Sequence, residues 1–134
     1  MPTTTATITL NSGDLTGDAL QLTSVSTLTG HASNSGLSYT TGVNRITFAA
    51  AQTAYNLISS SDYSGPAKGH KIYIKNLSAS NSEFVNIEIG NTNKSLGRLY
   101  GGDWAFFPYD GVNDIDIDTS ANAMSIEYMV IYEQ

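Results

Sequence analysis

The sequence predicts an all-β protein: a single domain spanning residues 1–134, built as an antiparallel β-sandwich or jelly roll. Three observations carry that prediction. Serine, threonine, glycine and asparagine supply 16, 15, 12 and 11 of the 134 residues, a composition of hydroxyl-rich strand faces joined by many turns. Apolar residues recur with a period of two in short runs, separated by turn formers at spacings of roughly ten residues. Few helical patterns interrupt those runs, and the length is that of one domain able to bury about two thirds of its unfolded surface.

Taken in chain order, Ala6, Ile8 and Leu10 alternate with Thr5, Thr7 and Thr9, which describes a strand with one apolar face. Leu20 and Leu22 continue the alternation, and the first few residues can extend as an arm. After the turn-rich stretch from His31 to Gly42, Val43-Asn44-Arg45-Ile46-Thr47-Phe48 is a further strand. The run Ala49 to Ala51 favours a short helix by propensity, while its β-branched and aromatic neighbours oppose one, so residues 49–58 stay open between the two. Ser59 to Pro66 is the longest turn-forming stretch and divides the chain into halves without requiring two domains. Beyond it Lys71-Ile72-Tyr73-Ile74-Lys75 and Val85-Asn86-Ile87-Glu88-Ile89 alternate cleanly, so Ile72, Ile74, Val85, Ile87 and Ile89 are expected to line the core. Gly101 and Gly102 are expected to form the turn that admits a strand at Trp104, with at least one of them at positive φ. Val112 to Asp118 alternates again, and Met124 to Tyr132 closes the chain. From Tyr128 onward that last strand is apolar on both faces, which calls for a second layer from the fold or from a neighbouring subunit.

The residue inventory narrows function. There is no cysteine, which removes disulfides, thiolate metal sites and a cysteine nucleophile. The net charge of −6 argues against nucleic acid as a partner. No basic-then-apolar leader and no apolar run near the roughly 18 residues that span a bilayer is present, so no membrane association is expected. His31 and His70 sit among turn residues without an orienting partner and read as solvated turn histidines. No nucleophile elbow, paired-histidine zinc motif or phosphate loop occurs. With no acid, base and nucleophile trio to name, the reading is a non-enzymatic protein with no catalytic residue, cofactor or metal.

Asp114, Asp116 and Asp118 begin like a calcium-binding loop, but the sixth position is Thr119 instead of glycine and the twelfth is Ser125 instead of glutamate. On a strand the three carboxylates share one face and are expected to project into water, with Ile115 and Ile117 inward. Tyr100, Trp104, Phe106, Phe107 and Tyr109 concentrate aromatic rings in ten residues. Most are expected in the core, and Tyr100, Trp104 or Tyr109 is the natural platform if the domain stacks a sugar. The interface candidates are Met129 and Ile131, as the second face of the last strand, together with Trp104 and Tyr109.

A strand ending in Ile74-Lys75-Asn76, the segment Leu96-Gly97-Arg98-Leu99-Tyr100-Gly101-Gly102-Asp103-Trp104-Ala105-Phe106-Phe107-Pro108, and the closing Ile126-Glu127-Tyr128-Met129-Val130 together resemble small virion proteins of tailed bacteriophages, especially cyanophage-like viruses. The resemblance covers roughly Lys71 to Glu133. It implies a β-sandwich virion structural protein, most plausibly a capsid decoration or cement protein. Such a protein associates with itself and with the major capsid protein or other virion proteins, in a particle assembled in the host bacterial cytoplasm. A head-fibre, knob or tail-part subunit is the alternative within that group, and a glycan-binding β-sandwich module is the alternative outside it.

Overall fold

A computed structural model describes residues 3–14, 17, 19–30, 37, 39–63, 68–90 and 94–134. Among them are eleven strands: β1 (Thr5–Ser12), β2 (Leu20–Thr27), β3 (Tyr39–Thr40), β4 (Asn44–Thr47), β5 (Tyr55–Ile58), β6 (His70–Asn76), β7 (Phe84–Ile89), β8 (Lys94–Tyr100), β9 (Trp104–Tyr109), β10 (Ile115–Thr119) and β11 (Ser125–Tyr132). A short 3-10 turn covers Ser60–Asp62, and the alanine run forms no helix: the chain bends there and enters β5.

All pairings are antiparallel, and two sheets make a sandwich. One has the order β5-β10-β7-β8. In the other, β11 lies between β6 and the pair β3 and β4, which line successive halves of its free edge, and β9 flanks β6 on the far side. From β4 onward the pairing is nested: β4 with β11, β5 with β10, β6 with β9 and β7 with β8.

The core between the sheets is built by the predicted alternation. Ile72, Ile74, Val85 and Ile87 are buried in one cluster with Ile115, Ile117, Ile126 and Val130, and Ile89 packs against it half-buried. Burial of each such side chain stabilises by roughly 1.5–3 kcal/mol.

The turn between β8 and β9 needs both of its glycines, for different reasons. Gly102 has φ +85, and the Asp103 N–H donates to the Tyr100 carbonyl at 2.8 Å, closing a turn with its positive φ at the third position. A Cβ on Gly101 would overlap the carbonyl oxygens of Ser78 and Ser80.

The aspartates differ from the sequence expectation. Ile115 and Ile117 do point inward, but β10 is a central strand, so the opposite face is walled laterally by β5 and β7. Asp116, opposite Asn56 on one side and Glu88 on the other, is only 4% exposed. Asp114 accepts hydrogen bonds from the Ser60 N–H (2.8 Å), the Ser60 hydroxyl (2.7 Å) and Asn56 Nδ2 (3.1 Å), anchoring the 3-10 turn. Asp118 accepts from the N–H of Ala54, which stands at φ +48. Two of the three carboxylates therefore clamp loops, because bare backbone N–H groups lie within reach of their face.

Outside the sandwich, β1 and β2 pair only with each other. Their base is tied down by the Leu28 N–H donating to the Thr4 carbonyl, the Leu37 N–H to the Leu28 carbonyl, and the Thr4 hydroxyl to the Leu37 carbonyl.

Candidate functional site

The outer face of the β6/β11 sheet holds most of the candidate residues. Along its register, Arg45, Glu127, Lys75 and Trp104 stand opposite one another in one cross-strand row. Arg45 Nε donates to Glu127 Oε2 at 2.7 Å, and the Tyr73 hydroxyl donates to Glu127 Oε1 at 3.1 Å. Those bonds, the Arg45 bond foremost, hold the Glu127 carboxyl below its ordinary range. Trp104 ends the row half-exposed on the edge strand β9, beside Lys75. The next row is Met129, Tyr73 and Phe106.

The four interface candidates separate on this surface. Trp104 is available. Met129 is half-buried, while Ile131 is buried in a second apolar cluster with Leu28 and Leu37, against which Ala6, Phe106 and Met129 pack. The stripe expected to face another subunit is thus covered at Ile131 by the chain's own layer at the base of the β1–β2 hairpin, which removes that residue as a surface contact. Tyr109 is likewise removed: the inward phase of β9 buries its ring in the main core, and its hydroxyl donates to the Asn113 carbonyl at 2.9 Å. Alternation along β9 sends Ala105 and Phe107 inward and Trp104 and Phe106 outward.

His70 is not a solvated turn residue. It opens β6, in register with Ile72, Ile74 and Asn76, and is fully buried. Its Nδ1 accepts the Glu133 N–H at 3.2 Å, so the neutral ring carries its proton on Nε2, which has no hydrogen-bond partner among the described residues. The rings of Tyr63, Tyr109 and Tyr132 surround it at 5.4, 6.0 and 6.4 Å. Burial lowers the His70 pKa and pushes the Tyr63 phenol up to about 12. His31 lies outside the described residues.

Asn76, buried at the other end of β6, ties the end of that strand to the β8–β9 turn. Its Nδ2 donates to the carbonyls of Glu83 and Leu99, its Oδ1 accepts the Ser78 N–H, and its own backbone bonds Gly102 and Asp103 across the β8–β9 turn. Both His70 and Asn76 carried a readable signal, since each extends the alternation of Ile72 and Ile74 by one step and so belongs to the buried face.

On the outer face of the other sheet, Glu88 and Asp116 form a cross-strand acidic pair, both raised in pKa by burial first and by neighbouring carboxylates second. Among the described residues, no three histidine or carboxylate side chains are placed to hold one metal ion, and no helix is long and apolar enough to cross a membrane. No protein-family model, curated protein or solved structure matches the chain.

Proposed function

We propose that the chain is a structural subunit of a tailed-phage virion, and within that class a capsid decoration or cement protein that binds the assembled shell and stabilises it. The observation that carries this reading is the Leu96–Pro108 segment with its Asn76 partner. Its residues are turn, core and edge residues whose purpose is to hold two sheets in register, as a packing subunit requires. The nested strand pairing supports the reading in addition: four antiparallel pairs wound into two sheets favour a jelly roll over other sandwiches, and capsid proteins are among the established uses of that fold. A protein that binds the assembled shell and not its free subunits stabilises the shell by mass action, and many weak copies suffice.

The direct test is quantitative mass spectrometry of purified particles. Hundreds of copies per particle are expected. A handful of copies would support a fibre or tail part instead, and absence from the particle would overturn the reading.

A second reading, a glycan-binding module, is favoured by one observation: Trp104 and Tyr100 are exposed rings, Trp104 beside Lys75. A glycan array blank for the wild type, or signals that survive Trp104→Ala, would remove it.

A further inference from the structure

Beyond Ala6, which packs at its base, the hairpin β1–β2 presents an apolar face that stays exposed among the described residues. Register places Ile8 and Leu10 on the same face as Leu22 and Leu20, and these four stand 38, 46, 47 and 37% exposed. The sixteen residues of the two eight-residue strands carry no charged side chain in a chain of net charge −6. Among the described residues both outer edges of the hairpin are unpaired, and neither strand carries a lysine, proline or bulge to blunt them.

The same chain carries an apolar recess of matching chemistry. Between the edge strands β8 and β9 the sandwich is open, and two adjoining recesses of about 540 and about 220 Å³ share Leu96 and Phe107. Ile87, Ile89, Leu99 and Ile115 line their walls, with Lys68, Asp110 and Arg98 also in the lining, and Leu96 stands at the rim more than half exposed. An unfilled apolar cleft and an uncovered apolar arm are each disfavoured in water, and each removes the cost of the other.

We propose that the β1–β2 arm of one copy seats its Ile8, Leu10, Leu20 and Leu22 face in the β8/β9 cleft of a second copy. The occupant is a second copy because arm and cleft belong to one sequence and because the two strands of the arm bring no charge into the contact, Asp14 and Asp18 falling between them in sequence. The size is adequate. A two-stranded face of eight residues measures roughly 27 by 10 Å, so a reciprocal exchange of two arms and two seats buries on the order of 1,100 Å², where specific interfaces begin. Apolar burial drives the contact, so added salt, which screens repulsion between acidic bodies, strengthens it. The proposal does not rest on the virion reading.

The test is sedimentation velocity of the full chain over a concentration series, with the arm variant Leu10→Glu/Leu22→Glu and the cleft variant Leu96→Glu. All three substitutions are at exposed positions, and far- and near-ultraviolet circular dichroism checks that each variant is folded. The wild type is expected to associate, more tightly at higher salt, and each variant to weaken association by about 100-fold or more, because a carboxylate would lose its water against the mainly aliphatic and aromatic walls of the seat. A mixture of the two variants rebuilds one of the two reciprocal contacts, the cleft variant's arm in the arm variant's cleft, and is expected to associate more tightly than either variant alone and more weakly than the wild type. A wild type that stays monomeric throughout, or a folded variant of either kind that associates like the wild type, would overturn the proposal, a cleft variant that does so by pointing to arm-on-arm contact.

Discussion

Strands β1 and β6 are written in the same alternating pattern, and their aliphatic side chains end in opposite environments. Ile72 and Ile74 of β6 are fully buried between two sheets, whereas Ile8 and Leu10 of β1 stand in the open on a two-stranded hairpin. Alternation makes a strand and gives it an apolar face. What covers that face depends on which other strands reach it, and the partners of β6 lie as far away in sequence as β11. An isolated two-stranded hairpin is marginal in water, so the hairpin depends on its tether at Leu28 and Leu37 while the sandwich carries the stability.

Glycine substitutions should break this comparison most sharply. Gly101→Val in the body is expected to abolish folding, because the new side chain overlaps the Ser78 and Ser80 carbonyls, whereas Gly13→Val beside the arm, where a Cβ meets nothing within 4 Å, should change stability by less than about 0.5 kcal/mol. Soluble yield and thermal unfolding report both, and a folded, stable Gly101→Val would refute the close approach at that turn. Next in size, Ile87→Ala should cost about 2–5 kcal/mol through lost transfer energy and a cavity, against less than about 1 kcal/mol for Ile8→Ala in the monomer. Urea titration decides this, and equal losses at the two sites would mean that the arm is packed as tightly as the core.

A smaller effect separates the two regions by pH. The strands of the arm carry no titratable side chain, so every pH dependence belongs to the body and the loops. The folded-state pKa of His70 is lowered by burial, so below about 6.5 the unfolded chain takes up a proton that the folded chain refuses, and stability is lost as pH falls. Glu88 and Asp116 act in the opposite sense: their raised values mean that the folded chain holds protons the unfolded chain has released, so their contribution is gained as pH falls toward the ordinary carboxylate range. His70→Gln should flatten the loss of stability between about pH 7 and 5.5. An unchanged slope in that variant would show that the titrating group lies elsewhere.

These contrasts also show where the sequence was readable. Strands β6, β7, β10 and β11 were legible because each alternates between a core and a second environment. Strand β8 was not, since Lys94 to Tyr100 places one buried residue, Leu99, in an edge strand whose pairing with β7 shifts register near Gly97. The two-residue strand β3 is too short for any period to show. The fate of Ile131 and Tyr109 was hidden for a further reason, namely that burial by a distant segment leaves no local trace. Leu28 and Leu37, which cover Ile131, are about a hundred residues away in sequence, and β6, which pairs with Tyr109 through His70, begins about forty residues before it. Asp116 was misplaced because strand position, central or edge, is a property of the whole sheet.

The most direct test of the division between a self-sufficient sandwich and an arm left for a partner is amide hydrogen exchange at two protein concentrations. In dilute solution the amides of β6, β10 and β11 should exchange only through global unfolding, with the amides of β1 and β2 exchanging orders of magnitude faster. At concentrations where copies associate, the β1 and β2 amides should become protected while those of the core strands stay as they were. Arm amides as slow as those of β6 in dilute solution, or arm amides that stay fast in the associated state, would contradict the account.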